Sequence, residues 1–130
     1  MKWRLWVPVG VYIAIIFTLS SIPNLRPPVQ VNNADKAAHF LEYGVFGLLL
    51  YRAARLTWSH RNAMIPFLFT VMVGLCVAAC DELYQGSIPG RQKSANDALA
   101  DLIGVTVAAL IGQWIAHLWM ENRGEMKAGS

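Results

Sequence analysis

The chain has 130 residues, enough for one domain; 55% are hydrophobic and only 15% are charged. A water-soluble domain carries about 25% charged residues, so an ordinary soluble surface is excluded. The formal charge of +3 would suit a nucleic-acid binder, but the basic residues sit mainly at the ends of apolar stretches and form no stripe, so no nucleic-acid partner is expected.

Four apolar stretches, 5–22, 37–56, 64–84 and 98–120, approach the roughly 20 residues that a helix needs to cross the bilayer core. They predict an all-α integral membrane bundle of four transmembrane helices, a single domain over residues 1–130. The first stretch follows Met1-Lys2-Trp3-Arg4 and ends at Ser20-Ser21-Ile22-Pro23. Its apolar part is longer than a signal-peptide core and no clean small-x-small site follows, so it reads as a retained signal-anchor. The second opens near Asp35 and Lys36 and carries His39, Glu42 and Tyr43. The third holds Pro66, tolerated in a first turn, and ends in Asp81, Glu82 and Gln85. Its Cys76 and Cys80 lack further metal ligands and read as small packing residues. A loop with Pro89-Gly90, Arg91 and Lys93 leads to Ser94, Asp97 and Asp101, after which the fourth stretch continues through Gly104 and Ala108. Trp3, Trp6, Trp58, Trp114 and Trp119 lie towards the stretch ends, where amphipathic rings prefer the interface. His60 and His117 read as interfacial.

Four crossings put both termini on one side. That side carries Lys2, Arg4, Arg52, Arg55, Arg61, Arg123 and Lys127, against Arg26, Lys36, Arg91 and Lys93 on the other, which predicts cytoplasmic termini.

Glu121 and Glu125 lie in the C-terminal tail; the other six acids, Asp35, Glu42, Asp81, Glu82, Asp97 and Asp101, fall at the non-cytoplasmic ends of helices two, three and four. At 1.5 Å per residue, His39, Asp81 and Asp101 each lie about 6 Å inside their helix ends, so three helices reach one depth. Asp35, His39 and Glu42 share one helical stripe, and Asp81 and Gln85 form an i, i+4 pair. Ser94, Asp97, Asp101, Gly104 and Ala108 form another, whose small members should face the bundle interior. Asp35, and Asp97 within Ser94-x-x-Asp97, have a plain reading as helix caps. Capping does not account for Glu42 or Asp101. Asp81 and Glu82 sit where the helix dipole disfavours negative charge, so Arg91, Lys93, Lys36 or a bound cation should compensate them. Ionisable groups at membrane depth are costly and point to function. Six acids against Arg26, Lys36, Arg91 and Lys93 leave two negative charges. That excess suits a divalent cation on oxygen ligands, or carboxyls that keep their protons with no metal; the metal-free reading is preferred because no metal motif is present.

The run Asp35-Lys36-x-x-His39-x-x-Glu42-Tyr43 resembles the second-helix signature of the VanZ-like family. Asp81-Glu82-x-x-Gln85, Pro89-Gly90-Arg91, Ser94-x-x-Asp97 and the Ser20-Ser21-x-Pro23 element are similar to that family's other signatures, in the same order. The resemblance implies a multi-pass protein of the bacterial cytoplasmic membrane. The family is named after a member associated with resistance to teicoplanin, a lipid-anchored antibiotic, and the resemblance supplies no reaction.

The first expected function is binding or modification of a lipid-linked head group, such as a cell-wall precursor, in a polar pocket at the outer leaflet. In that reading His39 or Glu42 is a base, Arg91 holds phosphate through its planar donor fork, and Asp81 with Glu82 holds a cation or sugar hydroxyl. Asp101 joins the catalytic candidates, and Ser21, Asp35, Lys36, Tyr43, Gln85, Ser94 and Asp97 the binding ones. The alternatives are a non-enzymatic membrane protein that alters antibiotic access, a small ion-coupled transporter, and a layer that only fixes helix packing. A homodimer remains open.

Overall fold

The computed structural model describes residues 2–23, 34–58, 62–91 and 93–128, with side chains as far as Glu121. Arg26, His60 and Arg61 lie outside the described residues, as do the side chains of Arg123, Glu125 and Lys127. A one-turn 3-10 helix, Lys2–Leu5, precedes α1 (Val7–Ser20), α2 (Ala34–Thr57), α3 (Met64–Gln85) and α4 (Ala95–Ala128), and no strand occurs among the described residues.

Among the described residues, three segments are long and apolar enough to cross a membrane: Lys2–Ser20, Met64–Gln85 and Ala95–Glu121. α2, the fourth expected segment, is not apolar enough to join them. Asp35, Lys36, His39, Glu42, Arg52 and Arg55 fall within its 24 residues and pull its hydropathy down. The predicted first stretch is also divided, since the chain begins as a 3-10 turn and becomes α-helical only at Val7.

The closest approach in the bundle joins α2 to α4. A Cβ on Gly104 would collide with the Phe40 carbonyl oxygen and reach the Gly44 nitrogen at 3.1 Å. One turn along, a Cβ on Gly47 would lie 2.9 Å from the Val105 Cα. Backbones this close need small residues, and the stripe Asp101, Gly104, Ala108 is buried as its composition predicts. α3 docks on the same face of α4, with Gly74 against the Val105 side chain. Ile16 of α1, Tyr43, Phe46 and Leu50 of α2, and Ala78 of α3 complete the core around Val105.

At the end away from the acids, the Trp6 indole donates to Thr57 Oγ1 at 3.1 Å, and the Lys2 ammonium donates to the Thr57 carbonyl. Trp58 packs edge-on against Phe69 at 4.8 Å between centroids. The outward surface is apolar, with Leu41, Leu68, Met72, Leu83, Leu110 and Ile115 exposed. Cys76 and Cys80, read as small packing residues, are free and lie on this exposed surface.

Gly104→Ala should lower the unfolding temperature in detergent, because overpacking a backbone contact costs about 1–3 kcal/mol. A Cβ on Gly10 would meet no neighbouring atom within 4 Å, so Gly10→Ala should be neutral or gain up to about 1 kcal/mol. Equal melting of the two variants would remove the close contact from the account.

Candidate functional site

The seam between α2 and α4 brings their polar ends together. His39 lies one residue before Phe40, Asp101 three before Gly104, and His39 Nδ1 stands 2.9 Å from Asp101 Oδ1. Asp101 is fully buried and its Oδ2 has no hydrogen-bond partner among the described residues. Lys36 links the same two helices nearer the surface, 3.1 Å from Asp35 Oδ2 and 3.5 Å from Asp97 Oδ1. Asp35 precedes the apolar stretch of α2 and is exposed; the Lys36 ammonium bonded to it holds its carboxyl below the usual carboxylate range.

α3 contributes Asp81, Glu82 and Gln85, all buried. The Gln85 amide donates to Asp81 Oδ2 at 2.7 Å and to Ser20 Oγ at 3.2 Å, which attaches α1 to the cluster. Ser94 precedes α4 and its Oγ accepts the Asp97 N–H at 3.2 Å, so the predicted N-cap is present. The reciprocal partner of a capping box would be the side chain of Asp97. Here Glu82 takes that place: its Oε2 accepts the Ser94 N–H at 2.8 Å. Glu82 therefore closes the C-terminal end of its own helix onto the N-terminal end of α4, where the dipole favours an anion. That contact answers part of the compensation problem without a lysine or arginine.

The loop between α3 and α4 turns at Ile88–Arg91. The Arg91 N–H donates to the Ile88 carbonyl at 3.1 Å, and Gly90 has φ 82°, as a type II turn with proline second and glycine third requires. Arg91 is half-buried and its Nε has no partner among the described residues, while Lys93 is exposed and folds its methylenes over Gly86. Among the described residues neither forms an ion pair with an acid.

Most of the predicted site residues thus meet in one layer: Lys36, His39, Asp97 and Asp101 through contacts between α2 and α4, Asp35 through Lys36 of its own helix, and Glu82 and Ser94 through the closure of α3 on α4. Among the described residues, half-buried Glu42 has no partner at Oε1 and fully buried Tyr43 none at its hydroxyl. Ser21 stands apart. Its hydroxyl donates to the Phe17 carbonyl at 2.6 Å and accepts from the Tyr84 hydroxyl at 2.8 Å. The buried serine that reaches the acids is Ser20, whose neighbourhood to Gln85 depends on the tertiary placement of α1. His117 pairs with Glu121 at 3.2 Å, exposed and far along α4. An apolar groove of about 200 Å³ begins one turn inward of the polar layer, between Phe40, Leu41 and Gly44 of α2 and Gly104, Val107 and Ile111 of α4.

Long apolar helices closing over a buried ionisable layer define an all-helical membrane protein. The model of the VanZ/LLP1 family matches residues 3–118, and the chain belongs to that family. The resemblance to the VanZ-like family is thereby borne out. No curated protein and no solved structure matches the chain.

Removing one partner of a buried, hydrogen-bonded pair leaves the other stranded, so His39→Ala should cost about 3–5 kcal/mol of stability. Lys36→Ala, which breaks an exposed pair with Asp35 and a half-buried one with Asp97 at 3.5 Å, should cost about 1 kcal/mol, well below the His39 variant. Thermal unfolding of both in one detergent checks the ordering; a His39 variant as stable as the Lys36 variant would contradict it.

Proposed function

We propose that the chain crosses the bacterial cytoplasmic membrane four times, with both termini cytoplasmic, and binds a lipid-linked, phosphate-bearing head group in the polar layer at the non-cytoplasmic face. The observation that carries this reading is a layer of buried acceptors, Asp81, Glu82 and Asp101, next to a loop that offers an unpartnered Arg91 donor. Arginine matches phosphate with its donor fork, and the acids suit sugar hydroxyls. The apolar groove one turn inward gives the attached chain a place against α2 and α4.

Burial on both sides supports the fourth crossing. His39 and Glu42 of α2 are half-buried, and Tyr43, Phe46, Gly47, Leu50, Ala53 and Ala54 are buried against the other helices. Between Lys36 and Arg52 the exposed positions are Ala37, Ala38, Leu41, Val45 and Leu48, all apolar. Twenty-four residues make about 36 Å of helix, enough to cross the hydrocarbon core. The basic-residue bias supports cytoplasmic termini.

Binding is the primary activity in this proposal. If turnover accompanies it, His39 or Glu42 supplies the base. A link to lipoglycopeptide resistance would follow from occupancy of a cell-wall precursor head group, or from altered access of the antibiotic to it.

Native mass spectra of the protein released from bacterial membranes should show a co-purifying anionic lipid or lipid-linked precursor. Arg91→Ala should reduce its occupancy about tenfold or more, as loss of a charge-assisted contact worth about 1.5–3 kcal/mol implies. A chain free of lipid, with the same spectrum in wild type and variant, would overturn the binding proposal. Unchanged lipid after incubation with purified protein would restrict it to binding without catalysis.

A further inference from the structure

We infer that His39, Glu82 and Asp101 form a binding site for a divalent transition-metal ion. One ring nitrogen and two carboxylate oxygens of these residues lie within 4.8 Å of one another. Each comes from a different helix: α2, α3 and α4. Asp101 is fully buried and Glu82 is 8% exposed, yet Asp101 Oδ2 and Glu82 Oε1 have no hydrogen-bond partner among the described residues. Buried carboxylate oxygens left unpaired are costly, and no lysine or arginine among the described residues forms an ion pair with either group.

One outer contact is already in place. Ser94 N–H fixes Glu82 Oε2, which leaves Oε1 free to bind. Outer hydrogen bonds of this kind orient metal ligands.

Ligands at 2.0–2.1 Å from a tetrahedral ion stand roughly 3.3 Å apart. An ion at the centre would therefore part His39 Nδ1 from Asp101 Oδ1, now 2.9 Å apart, or use the other ring nitrogen, and draw Glu82 inward. A mixed imidazole and carboxylate set favours zinc or manganese over calcium or magnesium, which prefer all-oxygen sites. Three protein ligands leave at least one coordination position for water or an anionic oxygen. The site goes beyond the head-group proposal and stands without it.

The test uses the full chain in detergent, stripped with chelator, dialysed against Zn(II) or Mn(II), and assayed for metal across its gel-filtration peak. About one ion per chain is expected for the wild type, with chelator lowering its melting temperature. Asp101→Asn and Glu82→Gln should weaken binding by at least about 100-fold, while Glu121→Gln, at an exposed position, should load normally. Less than about a tenth of an ion per wild-type chain with both metals, or equal loading in all variants, would overturn the site. If the buried variants fail to fold, the wild-type loading and its response to chelator still decide. Lipid occupancy measured on the same samples separates the two proposals: lipid retained by a wild-type protein that takes up neither metal overturns this one alone.

Discussion

Helix backbones approach to van der Waals distance only where neither carries a side chain in the way, and α2 and α4 meet that condition at Gly104 and Gly47. The same seam fixes the chemistry. Phe40 touches Gly104, so the preceding His39 and the Asp101 one turn away are brought to hydrogen-bonding distance by helix geometry. The polar layer is thus an extension of the seam, and a shift of one helix along the other would separate the pair before it exposed the apolar core.

The acids at the end of α3 pose a different electrostatic problem. A carboxylate at a helix C-terminus faces partial negative charge, and Asp81 and Glu82 both lie in the last turn and a half of α3. Glu82 escapes part of that cost by accepting the first amide before α4, and Asp81 by accepting from Gln85. The turn built on Pro89 and Gly90 reverses the chain over this short distance, so the loop serves the closure as much as the exposed face. Half of each carboxylate remains unsatisfied after these contacts.

Much of this is legible in the sequence because helical period and membrane depth are both simple functions of residue number. The helix count, the burial of Asp101, Gly104 and Ala108, and the gathering of acids from three helices all follow from them. Other features depend on tertiary contact. The second stretch reads as long enough over 37–56, but His39, Glu42, Arg52 and Arg55 lie inside it and pull its hydropathy down. Ser20 and Ser21 are adjacent in one motif, and only the packing of α1 on α3 decides that Ser20 meets Gln85 while Ser21 meets Tyr84. The substitution of Glu82 for Asp97 in the cap of α4 crosses 12 residues and has no local signal. Cys76 and Cys80 share a face by spacing, but spacing alone does not say whether that face meets helix or lipid.

The low hydropathy of α2 also has a consequence for synthesis. In a four-span chain, the polar face of this helix finds its partners on α4, whose Asp101 follows His39 by 62 residues. Until that later segment emerges, His39 lacks the Asp101 partner it has in the finished bundle. The membrane insertion of α2 would therefore be post-dated: the helix would wait beside the insertion machinery, or at the interface, until α4 arrives. The order of translation and the order of stable integration would then differ for the second helix alone.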